Sequence, residues 1–371
     1  MKPVSGQNAR LTRRLTRRQA LAAYGSLLTA PPLLLAQEPP APKLAGEAPG
    51  RIPPVQELLN AAEFEAVAGR KLDSLTLAQI AGSERGAFDR ITFRPRLMVD
   101  SRQMDLTTEL FGQSLFTPIL IGPLSRQKRF HPEGELAMAR GAFAAKAVMV
   151  VADSSSYPID QIAAQAKALL WYQVYEEPDI HLDINQARTR VERAIGAGCR
   201  ALCVTVGGET LRSPVTAGVD WSAIDRLRKG IAVPIVLKGV MSPDEARKAI
   251  AGGVQGIVVS NGASNYGARS IPGVASPIEM LPSIADAVGG KVPILIDGSF
   301  RLGSDVLKAL ALGARAVMLG RPALWGLAAY GAEGVQSVVE LIQSGLARDM
   351  AMCGQVNVKS LDRTIVKIHR R

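Results

Sequence analysis

Residues 292–322 (VPILIDGSFRLGSDVLKALALGARAVMLGRP) put Asp297, Gly298 and Arg301 at the end of one apolar run and Gly320 and Arg321 at the end of the next. Glycine lets a backbone approach phosphate oxygens, and arginine supplies a forked set of charge-assisted donors. In a parallel β/α barrel the loops after strands seven and eight commonly hold a phosphate, because main-chain N–H groups there lie beside a helix N-terminus. The spacing predicts a phosphorylated ligand at this edge.

The elements that would carry these residues are read from alternating apolar runs and amphipathic stretches. Strands are expected at 119–122, 148–152, 169–175, 201–206, 234–239, 256–260, 292–297 and 316–320, with a helix after each, such as 304–312 after the seventh. Ser242-Pro243-Asp244-Glu245 has the chemistry of a helix start. Eight strand–helix units predict an α/β fold, a closed (β/α)8 TIM barrel, preceded by a short helical extension over 55–68 and 75–80. The C-terminal strand ends would then gather Gln173, Tyr175, Thr205, Lys238, Ser260, Asn261, Asp297 and Arg321 on one face. Any one of these reads equally well as a satisfied strand-end polar group; the set reads as a site.

At 371 residues, with 47% hydrophobic and 21% charged residues, the chain exceeds what one barrel needs. Part of the surplus is an expected address. Residues 11–36 run from arginine pairs (Arg13-Arg14, Arg17-Arg18) through a short apolar stretch broken by Pro31 and Pro32 to small residues, the order of a secretory signal. The run is too short and too proline-broken for a membrane span, and Thr16-Arg17-Arg18-Gln19-Ala20-Leu21 resembles a bacterial twin-arginine signal. Residues 1–36 are therefore expected to be a signal peptide directing periplasmic export, 37–54 a linker, and 55–371 the barrel with its N-terminal helices. Losing residues 1–36 removes six basic residues and no acid, taking the net charge from +11 to 11 − 6 = +5. Much of the basicity is thus address, and no nucleic-acid partner is expected; the membrane is met only during export. Cys199, Cys203 and Cys353 have no metal-binding spacing and read as buried thiols, so no metal is expected.

Several motifs in order carry a more specific signal: AFDRITFRPR (87–96), HPEGELAMAR (131–140), WYQVY (171–175), LKG (237–239), DGSFRLGSDVLKALALGA (297–314) and GRP (320–322). From about Asn60 to Leu361 the chain resembles the FMN-dependent α-hydroxy acid oxidases and dehydrogenases, such as glycolate oxidase, lactate oxidase and mandelate dehydrogenase. The resemblance implies FMN as cofactor, with Gln173 and Thr205 on the flavin ring and Lys238 at its N1–C2 carbonyl edge. It implies Asp297, Gly298, Arg301, Gly320 and Arg321 along the ribityl chain and phosphate, and Pro123 with the backbone of Leu124 and Ser125 against the isoalloxazine. Tyr175 and Arg269 would bind a small carboxylate substrate through its hydroxyl and carboxylate.

The pattern breaks where the family keeps its catalytic histidine. The segment is SNGASNYGAR (260–269), and either Gly262 or Tyr266 takes the histidine's place; the spacing to Leu281-Pro282 favours Tyr266. The aspartate that orients that histidine is replaced by Gly207, and the helix tyrosine that binds substrate by Gln79. Tyr266, with an unperturbed pKa of about 10, is a poor base near neutrality. Among the histidines, His131 belongs to the HPEGE motif and reads as structural, while His181 and His369 offer no catalytic context. Two readings follow: an exported FMN oxidoreductase with altered or reduced catalysis through Tyr266, Tyr175 and Arg269, or a flavin-binding carrier, relay or scaffold without α-hydroxy acid turnover. A third, a barrel isomerase like the type 2 isopentenyl diphosphate isomerases, is weakened by HPEGE and WYQVY. A homo-oligomer is compatible with all three.

Overall fold

Runs of Val, Ile, Leu and Ala, each long enough for one strand, form β1 (Ile119–Leu124), β2 (Val148–Ala152), β3 (Leu170–Tyr175), β4 (Cys199–Thr205), β5 (Ile235–Val240), β6 (Gly256–Val259), β7 (Ile294–Ile296) and β8 (Ala316–Leu319). They pair in parallel as a closed ring in which β8 returns to β1. The computed structural model describes residues 51–82, 85–96, 98–166, 170–175, 183–206, 219–261 and 275–369. The signal segment and most of the linker lie outside them. All eight strands stand where the sequence places them, so the fold is the expected (β/α)8 barrel.

Strand periodicity sorts the core into two layers. Inward residues such as Val150, Trp171, Cys203, Val236, Val258 and Leu295 fill the barrel. Their outward neighbours, among them Ile121, Val151, Val204, Leu237 and Ile257, pack beneath the helices. These helices are α1 (Gly134–Ala144), α2 (Ile159–Ala166), α3 (Ile184–Gly196), α4 (Trp221–Arg228), α5 (Pro243–Ala251), α6 (Pro277–Val288), α7 (Gly303–Ala311) and α8 (Arg321–Met352), the last kinked at Tyr330–Gly331. At the start of α5 the Ser242 hydroxyl accepts from the Glu245 N–H at 3.2 Å, and the Glu245 carboxylate accepts from the Ser242 N–H at 2.9 Å. No described helix is long and apolar enough to cross a membrane.

Three features depart from the sequence expectation. The N-terminal helix spans Ala61–Lys71 rather than 55–68, because the Asn60 side chain caps it by accepting from the Ala62 and Glu63 N–H groups; Val55–Glu57 forms a separate 3-10 turn. Helix α7 starts one residue early, since the Asp305 carboxylate takes the Arg301 and Leu302 N–H groups at 2.9 Å each and closes the first turn. A hairpin, Thr108–Leu110 with Gln113–Leu115, was not foreseen. Its two-residue turn has Phe111 and Gly112 both at positive φ (53° and 72°), the geometry a tight hairpin requires. Phe111 packs against Trp171, with ring centroids 5.5 Å apart, and so plugs the N-terminal mouth of the barrel. A cavity of about 630 Å³ on that face, lined by Phe111, Lys291, Arg315 and Lys359 among others, lies away from the strand-end polar groups.

Candidate active site

The last inward positions of the strands become polar where the barrel opens at its C-terminal end. On β3 and β4, Gln173 donates its amide N–H to the Thr205 hydroxyl at 3.0 Å, and Tyr175 pairs in register with Thr205. The Gln173 Oε1 is buried with no hydrogen-bond partner among the described residues. A buried amide oxygen of this kind costs about 1–3 kcal/mol unless a donor meets it, so a ligand N–H at this position would complete the site.

Beside it on β5, the Lys238 ammonium lies within 3.0 Å of both the Ser260 hydroxyl and the Asp297 carboxylate. The Lys238 side chain is 1% exposed and that of Asp297 20%, so the cation is out of water while its partner faces the opening. A charge held this way is committed to its neighbours, since removing one member of such a buried pair costs about 3–5 kcal/mol. This ion pair joins two residues that the sequence reading assigned separate roles.

The phosphate corner is built at the ends of β7 and β8. Arg301 is 8% exposed, donates to the Phe300 carbonyl at 2.8 Å and the Gly82 carbonyl at 3.3 Å, and stacks 4.3 Å from the centroid of the Trp325 ring. Arg321 donates to the carbonyls of Gly82 and Ala81. Burial, and next the Arg321 charge, push the Arg301 guanidinium down to about 9; burial also lowers Arg321. Asp305 does not neutralise this pair, because it is taken by the main-chain N–H groups of α7 and by a bidentate Arg85 at 2.7 Å. A buried Arg301 beside a partly buried Arg321, both bonded to main-chain carbonyls and offset by the Glu65 charge, would favour an anion. Gly320 leaves room for it: a Cβ there would meet no protein atom closer than Leu124 Cδ2 at 4.0 Å, although its backbone (φ −108°, ψ −97°) lies outside the regions that side-chain-bearing residues favour. Gly298 and Ser299, both at positive φ (102° and 60°), turn the chain from β7 toward the same corner.

The β1 side is flat and buried at Pro123 and Leu124. Two residues that sequence reasoning missed brace it. Gln127 donates to the Leu124 carbonyl at 3.0 Å, and Glu135, fully buried, accepts from the Gln127 and Ser156 N–H groups at 2.9 Å each. The glutamate lies inside the quoted HPEGE motif, which was its available signal. Ser154 donates to Ser125 at 2.6 Å next to this loop. Gln79 accepts from Arg129 at 3.3 Å.

Tyr266, Arg269, Gly262, Gly207 and His181 lie outside the described residues. Of the remaining histidines, His369 bonds Thr92 at 2.8 Å on the strand pair joining 91–93 to 366–368. His131 accepts the Glu133 N–H at its Nδ1 at 3.2 Å and packs on the α8 kink, where a Cβ at Gly331 would stand 3.1 Å from its Nε2. The structural reading of His131 therefore fits its contacts. Cys199, Cys203 and Cys353 are free and buried, with burial raising the first two thiols to about 12.

Burial lowers the His131 pKa from 6.5, with Glu133 opposing and Lys71 and Arg140 assisting. The unfolded chain then takes the proton first, so the residue's contribution is complete above pH 6.5 and is lost as pH falls through the lowered folded value. His131→Gln should flatten the fall in urea midpoint between about pH 7 and pH 5 relative to the wild type; an unchanged slope would contradict this account.

Comparison with known proteins agrees with this geometry. A family model described as FMN-dependent dehydrogenase matches residues 55–212 and 207–368. An L-lactate oxidase from a Nostoc species is 34% identical, with 84% of this chain and 98% of the relative covered. Spinach glycolate oxidase is 32% identical, with 83% and 95% covered. A solved structure of mandelate oxidase with 3,3-difluoro-2-hydroxy-3-phenylpropionic acid superposes with a TM-score of 0.76 at 32% identity, covering 84% of this chain and all of that one. The barrel, the family model and these relatives together show that the chain belongs to the FMN-dependent dehydrogenase family and is an FMN-dependent oxidoreductase.

Proposed function

We propose that the protein is exported and oxidises a small 2-hydroxy carboxylate with altered or reduced catalysis. The observation that carries the cofactor placement is the Arg301–Arg321 pair at the ends of β7 and β8, bonded to main-chain carbonyls, with open space over Gly320 next to Arg321 in the chain. The residues present fit FMN: the arginines and Gly320 would take its phosphate, Pro123 and Leu124 would lie along the ring, and the unpartnered Gln173 oxygen would accept a ring N–H. FMN, when bound, supplies the acceptor for the substrate's electron pair. Lys238 would keep a fixed cation, braced by Asp297 and Ser260, where negative charge gathers at the ring edge. Tyr175 and Arg269 would orient the substrate's hydroxyl and carboxylate.

The weak point is the base. Oxidation requires the hydroxyl proton to leave, and a positioned base contributes about 10² to 10⁴ in rate. Position 207 is glycine and positions 262 and 266 are glycine and tyrosine. Tyr172 does not substitute: its hydroxyl is given to Asp153, itself paired with Arg190 at 2.9 Å, and burial raises its pKa. This loss favours a second reading, an exported FMN protein that serves as carrier, relay or scaffold. The relatives, named as oxidases, favour turnover.

Titration with FMN, followed by flavin fluorescence, checks the placement. Arg321→Ala should weaken binding by about tenfold or more, and Gly320→Ala should also weaken it, the melting temperature of the flavin-free protein separating a backbone cost from lost phosphate space. Unaltered affinity in both would remove the corner as the phosphate site.

Anaerobic mixing with lactate or glycolate should bleach the flavin about 10² to 10⁴ more slowly than in histidine-bearing relatives. Tyr266→His combined with Gly207→Asp should raise the rate. Fast bleaching of the unmodified protein would show that another base serves, whereas no bleaching by a panel of 2-hydroxy acids would leave the carrier reading.

Export is tested by fractionation. Replacing Arg13, Arg14, Arg17 and Arg18 with lysine should hold the precursor in the cytoplasm, and undiminished periplasmic delivery would exclude the twin-arginine route.

A further inference from the structure

Arg321 and Trp325 stand one turn apart at the start of α8, an i, i+4 pair on one helix face. Trp325 is 1% exposed, and its two functional surfaces are used in different directions. Its ring face lies 4.3 Å beneath the Arg301 guanidinium, and its indole N–H donates to the Ile80 carbonyl at 2.9 Å. Ile80, itself fully buried, ends the helix Ser74–Ile80, and the next two carbonyls, Ala81 and Gly82, are those that Arg321 and Arg301 bond.

The Arg301 side chain thus has a ring below it, two neutral carbonyls at its edges, and a second cation beside it. The cost of burial and repulsion from Arg321 act against the charged guanidinium here, opposed by the Glu65 and Asp305 carboxylates. A cation over an indole face is attracted by the ring quadrupole, most strongly when desolvated. The carbonyls fix the edges of the fork, and the ring supports its face, which no other described contact of Arg301 covers.

We propose that Trp325 is a positioning residue for the cofactor phosphate, holding Arg301 on its ring face and tying that contact to the N-terminal helical layer through the Ile80 carbonyl. The proposal rests on the placement of the FMN phosphate at Arg301, Gly320 and Arg321. Trp325 touches no part of the reacting centre; it acts through Arg301, so its effect is confined to the phosphate.

The test compares FMN with riboflavin, which has the same ring and ribityl chain but no phosphate. Dissociation constants for both are measured by flavin fluorescence on the full-length flavin-free protein and on Trp325→Met and Trp325→Phe. Methionine keeps apolar volume but has no ring; phenylalanine keeps a smaller ring face. The FMN-over-riboflavin affinity ratio should fall by about tenfold in Trp325→Met and by about threefold in Trp325→Phe, with riboflavin affinity unchanged. Should Trp325→Met not fold, as judged by circular dichroism, the ratio in Trp325→Phe decides. An unchanged ratio, or equal weakening of both ligands as expected of a purely structural tryptophan, overturns the proposal. A wild-type ratio near one would remove the phosphate placement itself and this proposal with it, an outcome distinct from a high wild-type ratio that the variants leave intact.

Discussion

Closing eight parallel strands into one ring leaves an interior with no room for water, and every other property of this protein follows from that constraint. Each strand can place polar side chains inward only at its last positions, where the ring opens. Below that level the inward residues are Val150, Trp171, Cys203, Val236 and Leu295, and the far mouth is stopped by Phe111. At the rim the same inward parity brings Gln173, Thr205, Lys238 and Asp297 into contact with one another, although they come from four strands spread over more than a hundred residues.

Charge is distributed at that rim with a consistent logic. The Lys238 cation is given a carboxylate and a hydroxyl and is locked in place. The Arg301 and Arg321 cations bond to main-chain carbonyls, with Asp305 held by α7 and Arg85 and the Glu65 carboxylate near enough for its charge to act on both. The first arrangement suits a fixed electrostatic element beside a ring that gathers electrons. The second suits a site that must accept a dianion and release it only with difficulty. Buried polar atoms without partners are costly, and the Gln173 oxygen is one such atom placed where the ring of the cofactor would lie.

Positions 207, 262 and 266, where the resemblance would put the family's acid–base pair, carry glycine, glycine and tyrosine. Losing both members together is physically coherent, since an aspartate left behind without its imidazole would be a charge lacking a partner. Those positions belong to other segments of the sequence than Arg301 and Arg321 at the ends of β7 and β8, so one set can change without changing the other.

By itself the sequence determined the strand order, the barrel, the family and the positions of nearly every strand-end polar group, because strand periodicity and turn chemistry are local and the motifs stand in a fixed order. It also grouped Gly320, Arg301 and Arg321 as an expected phosphate site. What only the tertiary structure decided are contacts between residues remote in the chain. The Lys238–Asp297 pair, the Glu135 brace under the β1 loop, the hairpin plug at Phe111 and the Trp325 platform under Arg301 leave no periodic trace. The Leu302 N–H contact to Asp305 is local, but Arg85 meets that carboxylate only once the N-terminal residues pack on the barrel, and that packing helps decide how far Asp305 serves the nearby arginines.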